Sequence, residues 1–479
     1  MEIIIFILAL LVILVTVLAV NTAKSAKKAR KLTKFKPFYN DEEIEYYVNR
    51  LQKMIQCKTV SVKDSYDDTE FAKLRDVMAE LFPTLHKTAE KMTFSDDCWI
   101  YKIKGKDETR NIMLMSHHDV VEASGEWNYD GFSGTVADGK IWGRGTVDTK
   151  TPLFAEFSAL EEFLAEGYEP PCDVYLATAV DEEISGGGAP MLVDYLKSKG
   201  VHLDVAMDEG GAILKGQLPT MDGWCAAIGI LEKGSVDVKI KAKGKGGHSS
   251  TPPKNTPMTR LAKFVADIEN DQPFKAEISG PVYAMLKEAA PYLGFPLRMV
   301  LGNMWLFKGL LTKVLPVVSP MCKAFVKTTF ACTMAEGSQT PNVIPTEAYV
   351  VCNLRPSPHQ NAEQSLAVLQ KYADKYDLEL EVIHARSASN CVDYKGEEFR
   401  YLTKCINECY PDAGVIPYLM TGGTDCRHYE AIADNCLRFC PIKMSNEQLA
   451  AMHAANESIG VNEVAHCVKF YKHYIKNHK

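Results

Sequence analysis

Three short apolar runs in the first half of the chain each lead directly into acidic or histidine residues. The runs and the residues that follow them are 111–116 (NIMLMS) before His117 and Asp119, 174–180 (VYLATAV) before Glu182 and Glu183, and 203–207 (LDVAM) before Asp208. Such continuous apolar runs are typical of strands that are buried on both faces of a parallel sheet. Because open α/β sheets bind ligands beyond the carboxyl ends of their strands, we expect these polar side chains to converge on one cleft.

Helical periodicity separates the apolar runs from one another. Residues 153–166 (LFAEFSALEEFLAE) repeat apolar positions every three to four residues, and residues 189–199 follow the same period. A further amphipathic helix is expected at 41–54, N-capped by Asn40 or Asp41. The succession of strand, polar turn, helix and strand is that of an α/β domain.

The pattern changes at about residue 231. Residues 235–243 (SVDVKIKAK) alternate polar and apolar positions, like a strand with one exposed face. The helical and strand-like segments that follow are 256–269, 347–355, 361–376 and 379–384. We therefore expect a small α+β domain, 231–386, inserted into an α/β domain that is formed by residues 38–230 and 387–479.

An uncharged apolar run precedes this body. It extends from Ile3 to Val20 and has 18 residues, enough to cross a bilayer as a helix. Seven basic residues follow between Lys24 and Lys36, whereas a cleaved signal peptide carries its basic residues before the apolar stretch. We therefore expect residues 1–37 to form a single-pass transmembrane anchor with a basic flank, in preference to a buried core helix. The positive-inside rule places the flank and the body in the cytoplasm, with export as the alternative.

Composition and charge narrow the range of partners. The 479 residues are 46% hydrophobic and 24% charged, a globular composition in a chain too long for one ordinary core. The net charge is −7, and because the first 40 residues carry +6, the remainder carries −13, which argues against nucleic acid as a partner. The 14 cysteines include no CxxC pair, so we expect thiols in a reducing compartment and no disulfide framework.

Five motifs together resemble the dizinc metallopeptidases that include carboxypeptidase S and the aminoacylases. They are His117-His118-Asp119, 143–148 (GRGTVD), Asp181-Glu182-Glu183, 208–211 (DEGG) and 452–457 (MHAANE). Each motif alone is a weak signal, but all five occur in the family's order, and the resemblance covers nearly the whole chain after residue 40. It implies an αβα zinc-peptidase catalytic domain and, at 231–386, a ferredoxin-like lid and dimerisation domain.

The resemblance implies a role for each residue of the centre. The expected metal ligands are His117, Asp148, Glu183, Asp208 and His453. Asp148 would bridge two ions, with Asp208 completing the shell of the second ion and His453 that of the first. Asp119 would fix the tautomer of His117, and Glu182 would be the general base for a metal-activated water and then protonate the leaving amine. Nitrogen and oxygen ligands without thiolate fit two Zn²⁺ ions best, with Co²⁺ or Mn²⁺ possible.

Each of these residues also has an ordinary structural interpretation. Asp148 could cap the following helix, Glu182 and Glu183 could be an exposed acidic pair, and His453 could be a surface histidine. The surrounding motifs favour the catalytic interpretation. Because adjacent residues of a strand point to opposite faces, Glu182 and Glu183 are expected on a turn at the strand end.

Substrate recognition is assigned from the same resemblance. His248 would reach the site of a neighbouring subunit and stabilise the oxyanion there, which implies a homodimer. The residues expected to hold a free α-carboxylate are Asn342, Arg355, Gly422, Gly423 and Thr424. Arg355 could equally form a surface ion pair. Ser116 and Thr149 depart from the family's common pattern of glycine and an acidic residue, which leaves specificity open.

The sequence therefore predicts a membrane-anchored dizinc amidohydrolase that cleaves the amide bond next to a C-terminal amino acid, in a peptide or an N-acyl amino acid. The alternative is a catalytically silent, membrane-attached binding protein on the same scaffold, which should lack Glu182 or a ligand; none is missing. An apolar stretch within the inserted domain, 291–333, has two interpretations. It packs against the lid sheet or a dimer partner, or it forms a wall for an acyl chain with Trp305 and Phe307.

Overall fold

The computed structural model describes residues 1–63, 65–94, 97–216, 220–221 and 223–478. Lys479, the last residue of the predicted second catalytic segment, lies outside the described residues. The helices are α1 (Glu2–Lys28), α2 (Asp41–Ile55), α3 (Asp68–Leu81), α4 (Pro83–Thr88), α5 (Lys150–Ala165), α6 (Gly188–Ser198), α7 (Pro257–Asp271), α8 (Gly280–Ala289), α9 (Phe295–Gly302), α10 (Met304–Val318), α11 (Pro320–Val326), α12 (Ala362–Lys375), α13 (Glu397–Cys409), α14 (Cys426–Tyr429), α15 (Asn446–Ala451) and α16 (Val461–Asn477).

The strands contribute to one large sheet and several smaller ones. They are β1 (Glu90–Thr93), β2 (Trp99–Ile103), β3 (Asp107–Met115), β4 (Thr135–Ala137), β5 (Lys140–Trp142), β6 (Cys172–Thr178), β7 (Leu203–Asp208), β8 (Ile213–Lys215), β9 (Trp224–Glu232), β10 (Ser235–Lys243), β11 (Gly247–His248), β12 (Thr329–Glu336), β13 (Val343–Ile344), β14 (Glu347–Arg355), β15 (Glu379–Arg386), β16 (Ala413–Met420), β17 (Ala433–Arg438), β18 (Lys443–Met444) and β19 (Ser458–Gly460).

Among the described residues, a ten-stranded mixed sheet forms the centre of the protein. Its strands follow the order β1-β2-β6-β3-β7-β17-β9-β8-β18, and β16 pairs in parallel with β9. Strand β3 is parallel to β6 on one side and to β7 on the other, with Met115 opposite Ala177 and Leu114 opposite Met207. The three apolar runs are therefore adjacent parallel strands whose carboxyl ends lie at one edge of the sheet. This confirms the predicted α/β class.

Successive side chains of the central strands pack on opposite faces of the sheet. Ile112 and Leu114 of β3 join the core formed with α2, α5 and α16, whereas Met113 and Met115 join a second core with α6 and α14. Helix α5 is almost wholly buried and packs along α16. Helices thus cover both faces of the sheet, as expected for strands with continuous apolar sequence.

A second sheet is built from the region with the alternating pattern. Its strands follow the order β12-β14-β10-β15, and all neighbours are antiparallel. In β10, Val236, Val238 and Ile240 are buried in a core with α7 and α12, and the residues between them are partly exposed. The predicted alternation at 235–243 is confirmed. The assignment of 231–386 as a lid and dimerisation domain stays a prediction.

The apolar stretch between α7 and β12 forms helices α8 to α11. Ala289 of α8 shares a small core with Ile416 of β16 and Cys225 of β9, so α8 lies against the central sheet. Within the predicted apolar stretch, 291–333, α9 contacts α1, and Phe325 of α11 packs edge-on against Tyr418 of β16 with 5.9 Å between the ring centroids. The expectation that this stretch packs against the lid sheet or a dimer partner stays a prediction.

Helix α1 is, by length and composition, the one helix of the described residues that could cross a membrane. Its apolar window is wholly exposed, and the buried residues of the helix are Thr22 and Ser25, near its carboxyl end. A core helix of a globular protein would be covered by other elements. The core-helix interpretation therefore does not describe α1, and its insertion into a membrane stays a prediction.

Candidate active site

Two histidines lie around one aspartate at the carboxyl edge of the central sheet. His117 follows β3, whereas Asp148 and His453 come from two distant segments of the chain. Asp148 Oδ1 lies 3.0 Å from His117 Nε2, and Asp148 Oδ2 lies 2.9 Å from His453 Nε2. His453 Nε2 is also 3.0 Å from Glu183 Oε2. Residues that are separated by up to 305 positions in the sequence therefore meet at the edge of the sheet.

Two groups of potential ligands share this aspartate. One consists of His117, Asp148 and Glu209, and the other of Asp148, Glu183 and His453; within each group the ligand atoms lie within 4.8 Å of one another. A carboxylate common to two groups is the arrangement with which two-metal hydrolases hold both ions. The structure thus brings together four of the five ligands expected from the sequence, and it pairs His453 with Glu183 and not with His117.

The fifth expected ligand, Asp208, lies at the end of β7 but outside both groups. Its Oδ1 accepts the backbone N–H of Glu209 at 2.8 Å, and its Oδ2 accepts that of Cys426 at 2.8 Å. The neighbouring Glu209 supplies a carboxylate to the first group. Each oxygen of Asp208 accepts a single N–H and has a second acceptor site, so the ligand role of Asp208 stays a prediction and Glu209 is a second candidate for that position.

The electrostatics of these residues fit a bound cation. Burial raises the pKa of Glu209 well above its usual range, and the charges of Asp148 and Glu182 raise it further. Hydrogen bonds to Asp148 and Glu183 raise the pKa of His453 to about 10. Glu183 Oε1 is buried and has no hydrogen-bond partner among the described residues. A divalent cation would satisfy this oxygen, and the nitrogen and oxygen donors match those of zinc sites.

Glu182 and Glu183 lie on a turn after β6, where the N–H of Ser185 donates to the carbonyl of Glu182. The Glu183 carboxylate belongs to a ligand group, whereas the Glu182 carboxylate belongs to neither. Glu182 is largely buried, and burial raises its pKa well above the usual range. Arg427 Nη1 lies 3.9 Å from Glu182 Oε1.

Asp119 connects this turn to the histidine of the first group. It is fully buried, and its Oδ1 lies 3.2 Å from His117 Nδ1. Ser61 donates to Asp119 Oδ2 at 2.6 Å, and the backbone N–H groups of Glu182 and Glu183 donate to the two oxygens at 3.3 and 3.2 Å. Burial would raise the pKa of Asp119, but the hydrogen bond from His117 holds it below its usual value. Asp119 therefore orients both a ligand and the turn that carries the glutamates.

Glu457, which the sequence placed in a motif without a role, holds the segment that carries Asp148. Its Oε1 accepts the N–H groups of Val147 and Asp148 at 2.6 and 3.1 Å. Its Oε2 accepts the N–H of Gly145 at 3.1 Å and lies 2.5 Å from Arg144 Nη1. Both side chains of the ion pair are buried. Glu457 thereby ties the His453 segment to the Asp148 turn.

The residues predicted to bind substrate lie in two places. His248, on β11, is exposed and hydrogen-bonds Ser250, and β11 pairs with β13 next to Asn342, which is also exposed. Arg355 is partly buried at the end of β14. The described contacts of His248 and Asn342 do not include the ligand groups. The predicted roles of these residues in binding substrate therefore stay predictions.

The loop of Gly422, Gly423 and Thr424 lies beside two arginines that sequence reasoning missed. A Cβ on Gly423 would lie 3.5 Å from Arg427 Nη1 and 3.6 Å from Arg386 Nη2. Thr424 Oγ1 donates to Glu232 at 2.7 Å, which anchors the loop to the end of β9. Arg427 could have been identified from the sequence, because it lies three residues after the predicted loop.

The central sheet and the shared aspartate define an α/β protein with a candidate two-metal centre. The chain belongs to peptidase family M20/M25/M40, whose sequence model matches residues 113–477. This confirms the family predicted from the five motifs and, with it, an enzyme of a metal-dependent hydrolase family.

Relatives and solved structures agree over most of the chain. The chain is 30% identical over 448 residues to the mouse N-fatty-acyl-amino acid synthase/hydrolase PM20D1, covering 92% of this chain and 89% of the relative. It is 30% identical over 448 residues to the probable carboxypeptidase S-like 2 of Dictyostelium discoideum, covering 89% and 84%. The crystal structure of the M20 family metallo-carboxypeptidase Sso-CP2 of Sulfolobus solfataricus superimposes with a TM-score of 0.65 at 19% identity, covering 91% and 99%.

The two acidic residues at the end of β7 can be separated by their effect on metal content. We expect Glu209→Gln to lose about one of two ions per chain, because it removes a carboxylate of the first ligand group. Asp208→Asn should retain both ions, since the Asp208 oxygens accept backbone N–H groups. Inductively coupled plasma mass spectrometry of the purified proteins measures the content, with the exposed Glu447→Gln as control. Loss of an ion in Asp208→Asn alone would assign the ligand to Asp208.

The buried ion pair predicts a large stability difference between two similar substitutions. Glu457→Gln leaves Arg144 buried without its counter-charge, so we expect the free energy of unfolding to fall by about 3–5 kcal/mol. Glu80→Gln breaks an exposed pair with Lys53, 2.6 Å apart, and should cost at most about 1 kcal/mol. Urea unfolding of both variants measures the difference. Equal losses would show that Glu457 does not hold the turn.

Proposed function

We propose that this protein is a dizinc amidohydrolase that cleaves the amide bond next to a C-terminal amino acid, in a small peptide or an N-acyl amino acid. The observation that carries the proposal is the pair of ligand groups around Asp148 with the unliganded Glu182 beside them. In the proposal, His117, Asp148 and Glu209 hold one ion, and Asp148, Glu183 and His453 hold the other. Bound Zn²⁺, or Co²⁺ or Mn²⁺ in its place, would polarise the scissile carbonyl and make water more acidic.

Glu182 is the proposed general base. Its side chain lines the same small cavity as His117, and the turn that carries it is fixed by two N–H donations to Asp119. A fixed carboxylate that no ion occupies is free to take a proton from the attacking water and to pass it to the leaving amine. Arg427, 3.9 Å away, keeps positive charge next to the base.

The substrate's free carboxylate is proposed to bind at the glycine loop. The guanidinium groups of Arg427 and Arg386 both lie close to Gly423, where a Cβ would be 3.5 and 3.6 Å from them and 3.4 Å from Glu232 Oε2. In the proposal these two arginines bind the carboxylate of the substrate, and the backbone N–H groups of the loop add donors. Arg355 at the end of β14 adds positive charge to the same region, since its charge acts on Lys233 at the end of β9. A carboxylate-binding region beside the ligand groups favours substrates with a C-terminal amino acid. The names of the relatives, carboxypeptidase S-like and N-fatty-acyl-amino acid hydrolase, agree with this substrate class.

A homodimer is part of the proposal. The outer strands β12 and β15 of the four-stranded sheet expose apolar side chains, including Met334 at 61% and Ile383 at 56%. An exposed sheet edge of this kind favours pairing with another chain. In the dimer, His248 of the proposed lid, residues 231–386, would complete the site of the neighbouring subunit.

The proposed location is a membrane, with α1 as a single-pass anchor and the body in the cytoplasm. The exposed apolar window of α1 supports the anchor, and the basic residues between Lys24 and Lys36 support the cytoplasmic side.

The general-base assignment predicts a loss of turnover without a loss of metal. Glu182→Gln should lower kcat by about 100- to 10,000-fold towards both a dipeptide and an N-acyl amino acid, because the proton acceptor is removed. Metal content should stay at the wild-type value, since Glu182 belongs to neither ligand group. The matched control is the adjacent Glu183→Gln, which should lose metal and activity together.

Two results would contradict this assignment. Substantial residual kcat in Glu182→Gln would exclude the residue as the base, and metal loss in that variant would make it a ligand. Amidation of the substrate carboxylate should also lower kcat/KM strongly, and equal rates for both forms would exclude the proposed carboxylate site.

The shared site of the dimer predicts complementation between inactive variants. His248→Ala should lower kcat with metal intact, and subunit exchange with Glu182→Gln should restore part of the activity, because one heterodimer site contains both residues. A mixture of His248→Ala with the double variant His248→Ala/Glu182→Gln is the control, since no complete site can form. Verified heterodimers without recovered activity would show that each site is built within one chain.

A further inference from the structure

Helices α9 and α10 present an exposed apolar surface that no described element covers. It consists of Phe295, Trp305, Leu310, Val314, Val317 and Val318, whose exposed fractions range from 40% to 82%. We call these residues the insert face. Six large exposed apolar side chains on two adjoining helices are a concentration that favours an interaction site, since exposed apolar residues are otherwise scattered singly on ordinary surfaces.

The segment that carries the insert face has charges of one sign. Between Glu288 and Glu336 the sequence contains no acidic residue, and its basic residues are Arg298, Lys308, Lys313, Lys323 and Lys327. Helices that combine an apolar face with lysine and arginine lie in the interface of anionic membranes. A surface that binds another protein would be expected to have both acidic and basic residues around its apolar centre.

The insert face lies next to the end of the apolar run of α1. Asn303 Nδ2 donates to the carbonyl of Leu18 at 3.2 Å, and Asn21 Nδ2 donates to Asn303 Oδ1 at 3.0 Å. Trp305 Nε1 donates to the same Asn303 oxygen at 3.3 Å. Trp305 is therefore close to the part of α1 where the apolar sequence ends and the polar sequence begins. In a membrane this is the headgroup boundary, where tryptophan is enriched.

We propose that the insert face is a second membrane contact, which lies in the anionic leaflet beside the point where α1 leaves the bilayer. The inference rests on the proposed membrane insertion of α1. The expectation that Trp305 and Phe307 form a wall for an acyl chain stays a separate prediction. Together α1 and the insert face fix the body against the membrane, so long-chain N-acyl amino acids can reach the enzyme from the lipid phase.

Quenching of tryptophan by brominated lipid tests this contact directly. The full-length chain is reconstituted in liposomes of phosphatidylcholine and phosphatidylserine, with bromine near the headgroup end of the acyl chains. We expect brominated lipid to quench part of the tryptophan fluorescence, and the quenched part to be lost in Trp305→Phe. The other tryptophans provide the unquenched signal. The double variant Leu310→Asp/Val317→Asp should also lose quenching, whereas Val136→Asp, at an exposed apolar position on β4, should not.

Alkaline carbonate extraction of the same liposomes tests α1 separately. If the chain resists extraction and the quenching depends on Trp305, both contacts hold. If carbonate releases the chain but Trp305 is still quenched before extraction, the anchor is wrong and the insert contact stands. A chain that resists extraction with equal quenching in wild type and Trp305→Phe overturns the insert contact. Shielding of Trp305 without quenching by lipid would indicate a second copy of the chain and would overturn it as well.

Discussion

Negative charge buried at the carboxyl edge of the central sheet is the constraint on which the rest of the structure depends. A buried carboxylate is very costly unless its oxygens receive hydrogen bonds or a cation. Asp119 accepts hydrogen bonds from a histidine, a serine and the turn amides, which satisfy its charge within the fold. Asp208 accepts two backbone N–H groups, yet burial still raises its pKa to about 6. Asp148, Glu183 and Glu209 share two histidines among the described residues. The charge that remains on these three is what two divalent cations would balance.

The same edge of the sheet is held together by residues far apart in the sequence. Glu457 receives three backbone N–H groups of the turn that carries Asp148, and it pairs with the buried Arg144. This contact joins the first part of the central sheet's domain to the segment that returns after the second sheet. His453 approaches Asp148 because Glu457, four residues later, is fixed on the same turn. The ligand geometry therefore depends on the chain completing the central sheet after the inserted region.

The sequence predicted those features of the fold that depend on the hydrophobic pattern and on the spacing of motifs. Continuous apolar runs indicated buried parallel strands, and alternation indicated β10. His117 and Glu183, which follow the first two runs, each lie in a ligand group that contains Asp148. The resemblance predicted Asp208 as a ligand and gave Glu209 no role, because which of the two carboxylates faces His117 depends on the exact residue at which β7 ends. Arg386 was missed because no local pattern distinguishes it, and the packing of the apolar stretch on β16 and α1 depends on tertiary contacts alone.

The central claim is that two cations share Asp148, and the distance between the ions tests it most directly. X-ray absorption spectroscopy of the zinc-loaded protein, together with metal analysis, measures both the number of ions and their separation. The account predicts two ions per chain about 3.5–4 Å apart, with nitrogen and oxygen neighbours and no sulfur. One ion per chain, or two ions without a metal–metal distance in this range, would contradict the shared carboxylate and with it the proposed centre.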